Sequence, residues 1–276
     1  MTDKFGLPTG SVPENFDPKK ISAAIGSIDQ LKRYSFSALG AHGFATSCSV
    51  LSAMEHSELA AICTIKRIGN CSGVLEDITI TIAGYCSAQL VLNFGLGGHT
   101  ALLGDALSGA WDIRFWREST LVIGRGTTCS GARVVLDNSF VFFGEDCMFS
   151  DEIIVQSHDQ HAIVSIDDGK IINQKRRDLI IDDHVWIGCR TMVMGGIKIG
   201  IGSVVAAGSI VTKDVPRHCI VAGNPANIIR TNVTWSRNPD DLDEYAKKLC
   251  GPENNGSAGF PVVAEAEYRS RPPHGE

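Results

Sequence analysis

The sequence predicts an all-β fold in which the chain winds as a triangular coil of short parallel strands around an aliphatic core. Three observations predict it. Aliphatic residues recur at every sixth position, at Ile181, Ile187, Val193, Ile199, Val205 and Val211. The positions four residues later, Val185, Thr191, Ile197, Ser203, Ser209 and Val215, are all small or β-branched. Glycine recurs every twentieth position, at Gly84, Gly104, Gly124 and Gly144. A helix at 3.6 residues per turn scatters a period of six around its circumference, and an ordinary strand has no need of small residues at fixed phases. A coil with three sides of six residues explains both, because each side turns one aliphatic residue inward and the corners need small residues to bend. Stacked coils then satisfy the backbone through parallel ladders.

Residues 1–16, polar and rich in proline and glycine, predict a mobile arm. In "DPKKISAAIGSIDQLKRY", Asp17 is a helix N-cap and Pro18 the first helical position. "SELAAICTIKRI" reads as a second helix, and no role is assigned to residues 1–72. The coil domain is placed at 73–230. Its early turns carry Ala83, Leu103, Ile123 and Phe143 ahead of the periodic glycines, and twenty residues make a turn of eighteen plus two at a corner. Phe143, Phe149 and Val155 extend the six-residue step. The pattern lapses over 156–180, where Asp167-Asp168-Gly169 signals a turn, so this stretch is a loop thrown out from one coil. Such insertions gather on a functional face. Residues 231–276 hold a capping helix in "NPDDLDEYAKKL" and a disordered tail from Gly251.

The chain has 276 residues and a net charge of −6, so no general basic field attracts nucleic acid or an anionic membrane. Nine scattered cysteines with no C-x-x-C pair argue for a reducing compartment. The first residues have no apolar core of a signal peptide, and no apolar run reaches membrane-spanning length. These observations predict a cytoplasmic protein without membrane insertion.

Asp182 to Arg230, "DDHVWIGCRTMVMGGIKIGIGSVVAAGSIVTKDVPRHCIVAGNPANIIR", closely resembles the C-terminal coils of the hexapeptide-repeat acetyltransferases. "VWIG", "AAGSIVTKDVP" and "VAGNPANIIR" occur together and in order. Upstream, "IGRGT" and "FFGEDCMFS" look like the branch that O-acetylates bacterial surface polysaccharides and sialic acids. The resemblance implies a left-handed parallel β-helix, a homotrimer, and acetyl-CoA as co-substrate with no metal. Handedness comes from the resemblance alone, and it departs from the usual right-handed crossover.

Acetyl transfer to a hydroxyl needs a base, and histidine suits that task near neutral pH. The branch pattern resembles S-D-x-H-x-I, which assigns the role to His161 of "SHDQHAI". Here His158 interrupts the pattern, so it is a rival base and is otherwise placed in the acceptor site. His184 reads as a surface residue of the coil. Trp186 points outward, and either packs beneath the 156–180 loop or lines the acceptor and pantetheine groove. By resemblance, Cys189 and Ala207 mark that groove, while Thr212, Lys213 and Arg230 match positions that hold the nucleotide end. Asn227 stands where some relatives carry arginine. The expected activity is direct, acetyl-CoA-dependent O-acetylation of a carbohydrate acceptor bound between subunits. Two other readings stand beside it: N-acetylation of a nucleotide-linked amino sugar, and a zinc lyase of the γ-carbonic-anhydrase type with His158, His161 and His184 as ligands.

Overall fold

The structure, a computed structural model, describes residues 7–250 apart from 27, 29, 42–46, 70, 72 and 73. Its strands form three sheets, the faces of a triangular prism. One turn runs from Ser119–Ile123 on the first face, through Thr128–Cys129 on the third, to Ala132–Leu136 on the second, and back to Ser139–Phe143 on the first. Neighbouring coils pair in parallel. On the first face the ladder reads Ile82, Leu103, Ile123, Phe143, Ile181 and Ile199.

The six periodic aliphatics from Ile181 to Val211 are all fully buried. So are Val185, Ser203, Ser209 and Val215, with Thr191 and Ile197 nearly so. Two phases of each hexad therefore face inward, where one was expected. A side of six residues includes a short strand, and alternate residues of a strand share a face. The second phase stays small because it sits at the corners, where Ser203 Oγ and Ser209 Oγ donate to the carbonyls of Pro216 and Ala206.

The twenty-residue phase needs one correction. Leu103 stacks on Ile82, not on Ala83, so the first of these coils is one residue longer than those that follow. Gly84 accordingly faces Asp105. The ladder also begins earlier than residue 73. Ser49–Ser52 pairs in parallel with Thr79–Ile82, and Cys63–Arg67 with Gln89–Phe94. The second expected helix is half helix: α2 spans His56–Ile62, and the chain then alternates buried and exposed as a strand from Cys63. Hydrogen bonding to Gln89–Phe94 overrides the local helical pattern there. "KRYS" is likewise not helical, but pairs antiparallel at the sheet edge as Lys32–Ser35.

The first-face strands read as continuous apolar runs because both of their sides are covered. Their outward side chains, Leu102, Val122, Phe140, Phe142 and Ile180, pack beneath Leu7, Phe16 and helix α1, Lys19–Ile25, in a second core. Phe16 lies 5.1 Å from Phe140 and 4.9 Å from Phe142, ring centre to ring centre. Residues 7–16 are thus a packed cover and not a mobile arm. The helix begins one residue later than expected, with Pro18 at the N-cap position, and the Asp17 carboxylate just ahead of it accepts from the Lys19 N–H at 2.9 Å.

At the other end, helix α3, Glu244–Leu249, is capped by Asp243. It closes over His184, which is fully buried instead of lying on the surface. The imidazole is stacked between Trp235 at 4.2 Å and Tyr245 at 4.8 Å. The tail expected from Gly251 lies outside the described residues. Among the described residues no helix is long and apolar enough to cross a membrane.

Candidate active site

The 156–180 loop leaves the second face after Ile153–Gln156 and rejoins the coil at Leu179–Ile181. Its base is Ser157, whose carbonyl occupies the space a side chain on Gly195 would need. Only glycine lets the next coil approach the loop base this closely.

His158 and His161 have different surroundings. His158 is 4% exposed. Its Nδ1 accepts from the Asp159 N–H at 2.9 Å and lies 4.0 Å from the Asp137 carboxylate. Its Nε2 is buried without a partner among the described residues. Neither nitrogen is presented to a solute, so the structure does not support His158 as an acceptor contact or as a rival base. His161 is exposed. Its backbone is held at both ends, with the N–H donating to the Asp159 carbonyl at 2.7 Å and the carbonyl accepting from Asn173 Nδ2 at 2.8 Å.

Asn173 organises the loop and was missed in the sequence. It is buried, its Nδ2 also donates to the Asp159 carboxylate, and its Oδ1 accepts from the Ile163 N–H. Arg177 stands 3.6 Å from the same carboxylate. One asparagine thus ties three points of the loop together around His161. A lone asparagine in a polar stretch carries no signal that distinguishes it from a solvated one.

Trp186 is half-buried on the third face, with Nε1 donating to Ser150 Oγ at 3.3 Å. The ring beside it is Trp235 at 6.0 Å, from the C-terminal segment. Cys189 and Ala207 are exposed and lie on one corner in successive coils, joined by the Gly208 N–H to the Cys189 carbonyl at 2.8 Å. Thr212 and Lys213, half-buried, follow Ile210–Val211 at the next corner. Their corner is that of Gly195 and the loop base, because Met192–Met194 and Ile210–Val211 pair in register. Arg230 is exposed on the antiparallel hairpin strand Ala226–Thr231.

The expected residues therefore fall on two corners of one chain. Thr212, Lys213 and the base of the loop that carries His161 share one; Trp186, Cys189 and Ala207 share the other. The strand between them, from Cys189 to Gly195, spans roughly 20 Å at about 3.3 Å per residue.

The three histidines of the zinc reading do not converge. His184 Nδ1 contacts the Asp146 carboxylate at 2.7 Å, and Nε2 the Trp235 carbonyl at 2.9 Å. With both nitrogens engaged in a buried stack, it offers no lone pair to an ion beside His161. Among the described residues no group of three His, Cys, Asp or Glu side chains has the geometry of a metal site.

No family model matches the chain. A polysialic acid O-acetyltransferase from Escherichia coli O1:K1 is 45% identical over 127 residues, which is 46% of this chain and 41% of that protein. The crystal structure of a polySia-specific acetyltransferase superposes with a TM-score of 0.60 at 30% identity, covering 68% of this chain and 97% of that one. The chain belongs to the hexapeptide-repeat acetyltransferases, in their polysaccharide O-acetyltransferase branch. Its prism is the left-handed parallel β-helix of that family, and the polysialic acid O-acetyltransferase OatWY shares the fold at 21% identity and a TM-score of 0.57. The chain spans less than half the length of the E. coli relative.

Proposed function

We propose that the protein transfers an acetyl group from acetyl-CoA directly to a hydroxyl of a carbohydrate, with His161 as general base. One observation carries this reading: of His158, His161 and His184, only His161 presents its ring to solvent, on a loop that Asn173 holds in place. The imidazole takes the hydroxyl proton as the oxygen attacks the thioester carbonyl. A backbone N–H at the coil corner stabilises the tetrahedral oxyanion. Collapse breaks the C–S bond, and the imidazolium returns its proton to the leaving thiolate. Cys189, exposed and free, lines the groove as a spectator.

The active assembly is a homotrimer. Support comes from the separation of the two corners: the imidazole of one copy meets the Trp186–Cys189–Ala207 corner only on a second copy. The 156–180 loop also exposes Ile163, Val164, Ile166, Ile171 and Ile172, an apolar hairpin arm with nothing over it among the described residues. Lys213 and Arg230 supply cations for the CoA phosphates. A cytoplasmic location is supported by the nine scattered cysteines, which include no C-x-x-C pair.

The test is steady-state kinetics with acetyl-CoA and sialic acid acceptors. His161→Ala is expected to lower kcat by about 10²–10⁴ with the KM for acetyl-CoA unchanged. His158→Ala is expected to lower thermal stability while retaining most of kcat. Parental turnover in His161→Ala, or an equal loss in His158→Ala with the fold intact, would sink the assignment.

A further inference from the structure

We propose that a hollow on the outward side of the second face, next to Cys189, is the subsite for one pyranose ring of the acceptor; this rests on the proposed acetyl transfer to a carbohydrate.

The hollow has a volume of about 440 Å³. That is within the roughly 300–1,000 Å³ typical of small-ligand sites. Its origin is legible residue by residue. Outward positions of successive coils stack in rows, and one row places Ala110 against Gln89. Gly131 continues that row on the next coil, where Asp151 packs over it. Two small residues side by side leave a depression between longer neighbours.

The lining suits a sugar ring, which has an apolar C–H face and a hydroxyl edge. Ala110 and Ile154 supply apolar surface, and Gln89, Asp112 and Arg133 stand around it. The Asp112 carboxylate accepts from Arg114 Nε and Nη2 and from Arg133 Nε at 2.7–3.2 Å. Asn93 Nδ2 also donates to this carboxylate at 2.9 Å, so the cluster is held by several hydrogen bonds before any ligand arrives, and it brings carboxylate and guanidinium groups together at one edge. Prearranged polar groups of that kind select hydroxyls without an ordering cost at binding.

Position favours the acceptor over other small molecules. The Arg190 N–H donates to the Asp151 carbonyl at 2.9 Å, and its guanidinium pairs with Glu152. The rim of the hollow at Asp151 therefore lies one coil, about 4.8 Å, from Cys189 along the same corner, on the side away from Ala207, with Gly131 and Ala110 two and three coils away. The proposed donor groove runs from that corner toward Arg230 at the C-terminal end. With the nucleotide at that end, the thioester end of the donor reaches the hollow.

The experiment uses the full-length protein. Ala110 is exposed, so Ala110→Phe fills the hollow without entering the core. Gln89→Leu is a second variant that removes polar atoms and adds no bulk. Oligosialic acid is titrated calorimetrically in the presence of CoA, and transfer is measured with acetyl-CoA varied. Ala110→Phe is expected to weaken the glycan at least about tenfold, and Gln89→Leu about three- to tenfold, with the KM for acetyl-CoA within about twofold. Parental glycan affinity in both variants overturns the subsite, as does a parent that binds neither oligosialic acid nor neutral oligosaccharides. His161→Ala should keep its glycan affinity. Full turnover in that variant therefore counts against the proposed base, and the binding titration still decides the subsite.

Discussion

Buried imidazoles show how much surroundings change a residue type. His99 is 1% exposed, packed against Phe94 and Phe115, with Nε2 on the Leu96 carbonyl at 2.9 Å. Burial drives its pKa down from 6.5 to about 4. As pH falls through that window the unfolded chain takes up the proton first, so the contribution of His99 is complete above pH 6.5 and lost toward pH 4. The span corresponds to about 3 kcal/mol. Asp183 works in the opposite direction: burial, with Asp182 beside it, raises its carboxyl to about 6, and acidification then favours the folded chain. The informative measurement is therefore a difference. Urea melts of the parent and of His99→Phe between pH 7 and pH 4 should show the gap shifting by about 3 kcal/mol in favour of the variant on acidification. A constant gap would mean that His99 does not stay neutral in the folded chain.

At the scale of elements, the strands are two to six residues long and gain their order from stacking. Their ladders satisfy the backbone, and each fully buried aliphatic contributes about 1.5–3 kcal/mol. The loop is attached to this framework by close contact at Gly195. A methyl there would lie 1.8 Å from the Ser157 carbonyl, so either the coil or the loop base has to move. Gly195→Ala is expected to cost about 1–3 kcal/mol in a denaturant melt and to lower kcat, because Ser157 immediately precedes the histidine loop. A variant with parental stability and kcat would show that the coil yields without moving the loop. The same reasoning explains why "SELAAICTIKRI" was only half helix. Its apolar spacing fits a helix over α2, and past Ile62 the open edge of Gln89–Phe94 supplies ladder partners that a helix cannot use.

At the scale of the whole molecule, one prism carries the residues of the proposed site on separate corners. Donor corner and histidine corner are separated by the width of the second face, and a neighbouring copy closes that gap in the proposed trimer. Ile166, fully exposed at the end of the loop hairpin, is placed to be covered there. Ile166→Glu should lower the sedimentation coefficient toward that of a single chain at micromolar concentration, and activity should fall in proportion. A variant that sediments as the parent does would remove the hairpin from the interface.

The sequence by itself determined the coil. Inward positions of a repeating backbone must be apolar and corner positions small, and that requirement is written at fixed spacing from Ile181 to Val215, where it also carried the family resemblance. The pattern that points to His161 as the proposed base is likewise local. Tertiary structure alone decided the rest. The register shift at Ile82, the cover of Phe16 over Phe140 and Phe142, the burial of His158 and His184, the clamp of Asn173, and the split of the residues proposed for the groove between two corners all depend on contacts between residues far apart in the chain. Burial and hydrogen-bond partners are properties of what a residue meets, and a periodic sequence specifies its neighbours along the ladder without specifying what folds over its faces.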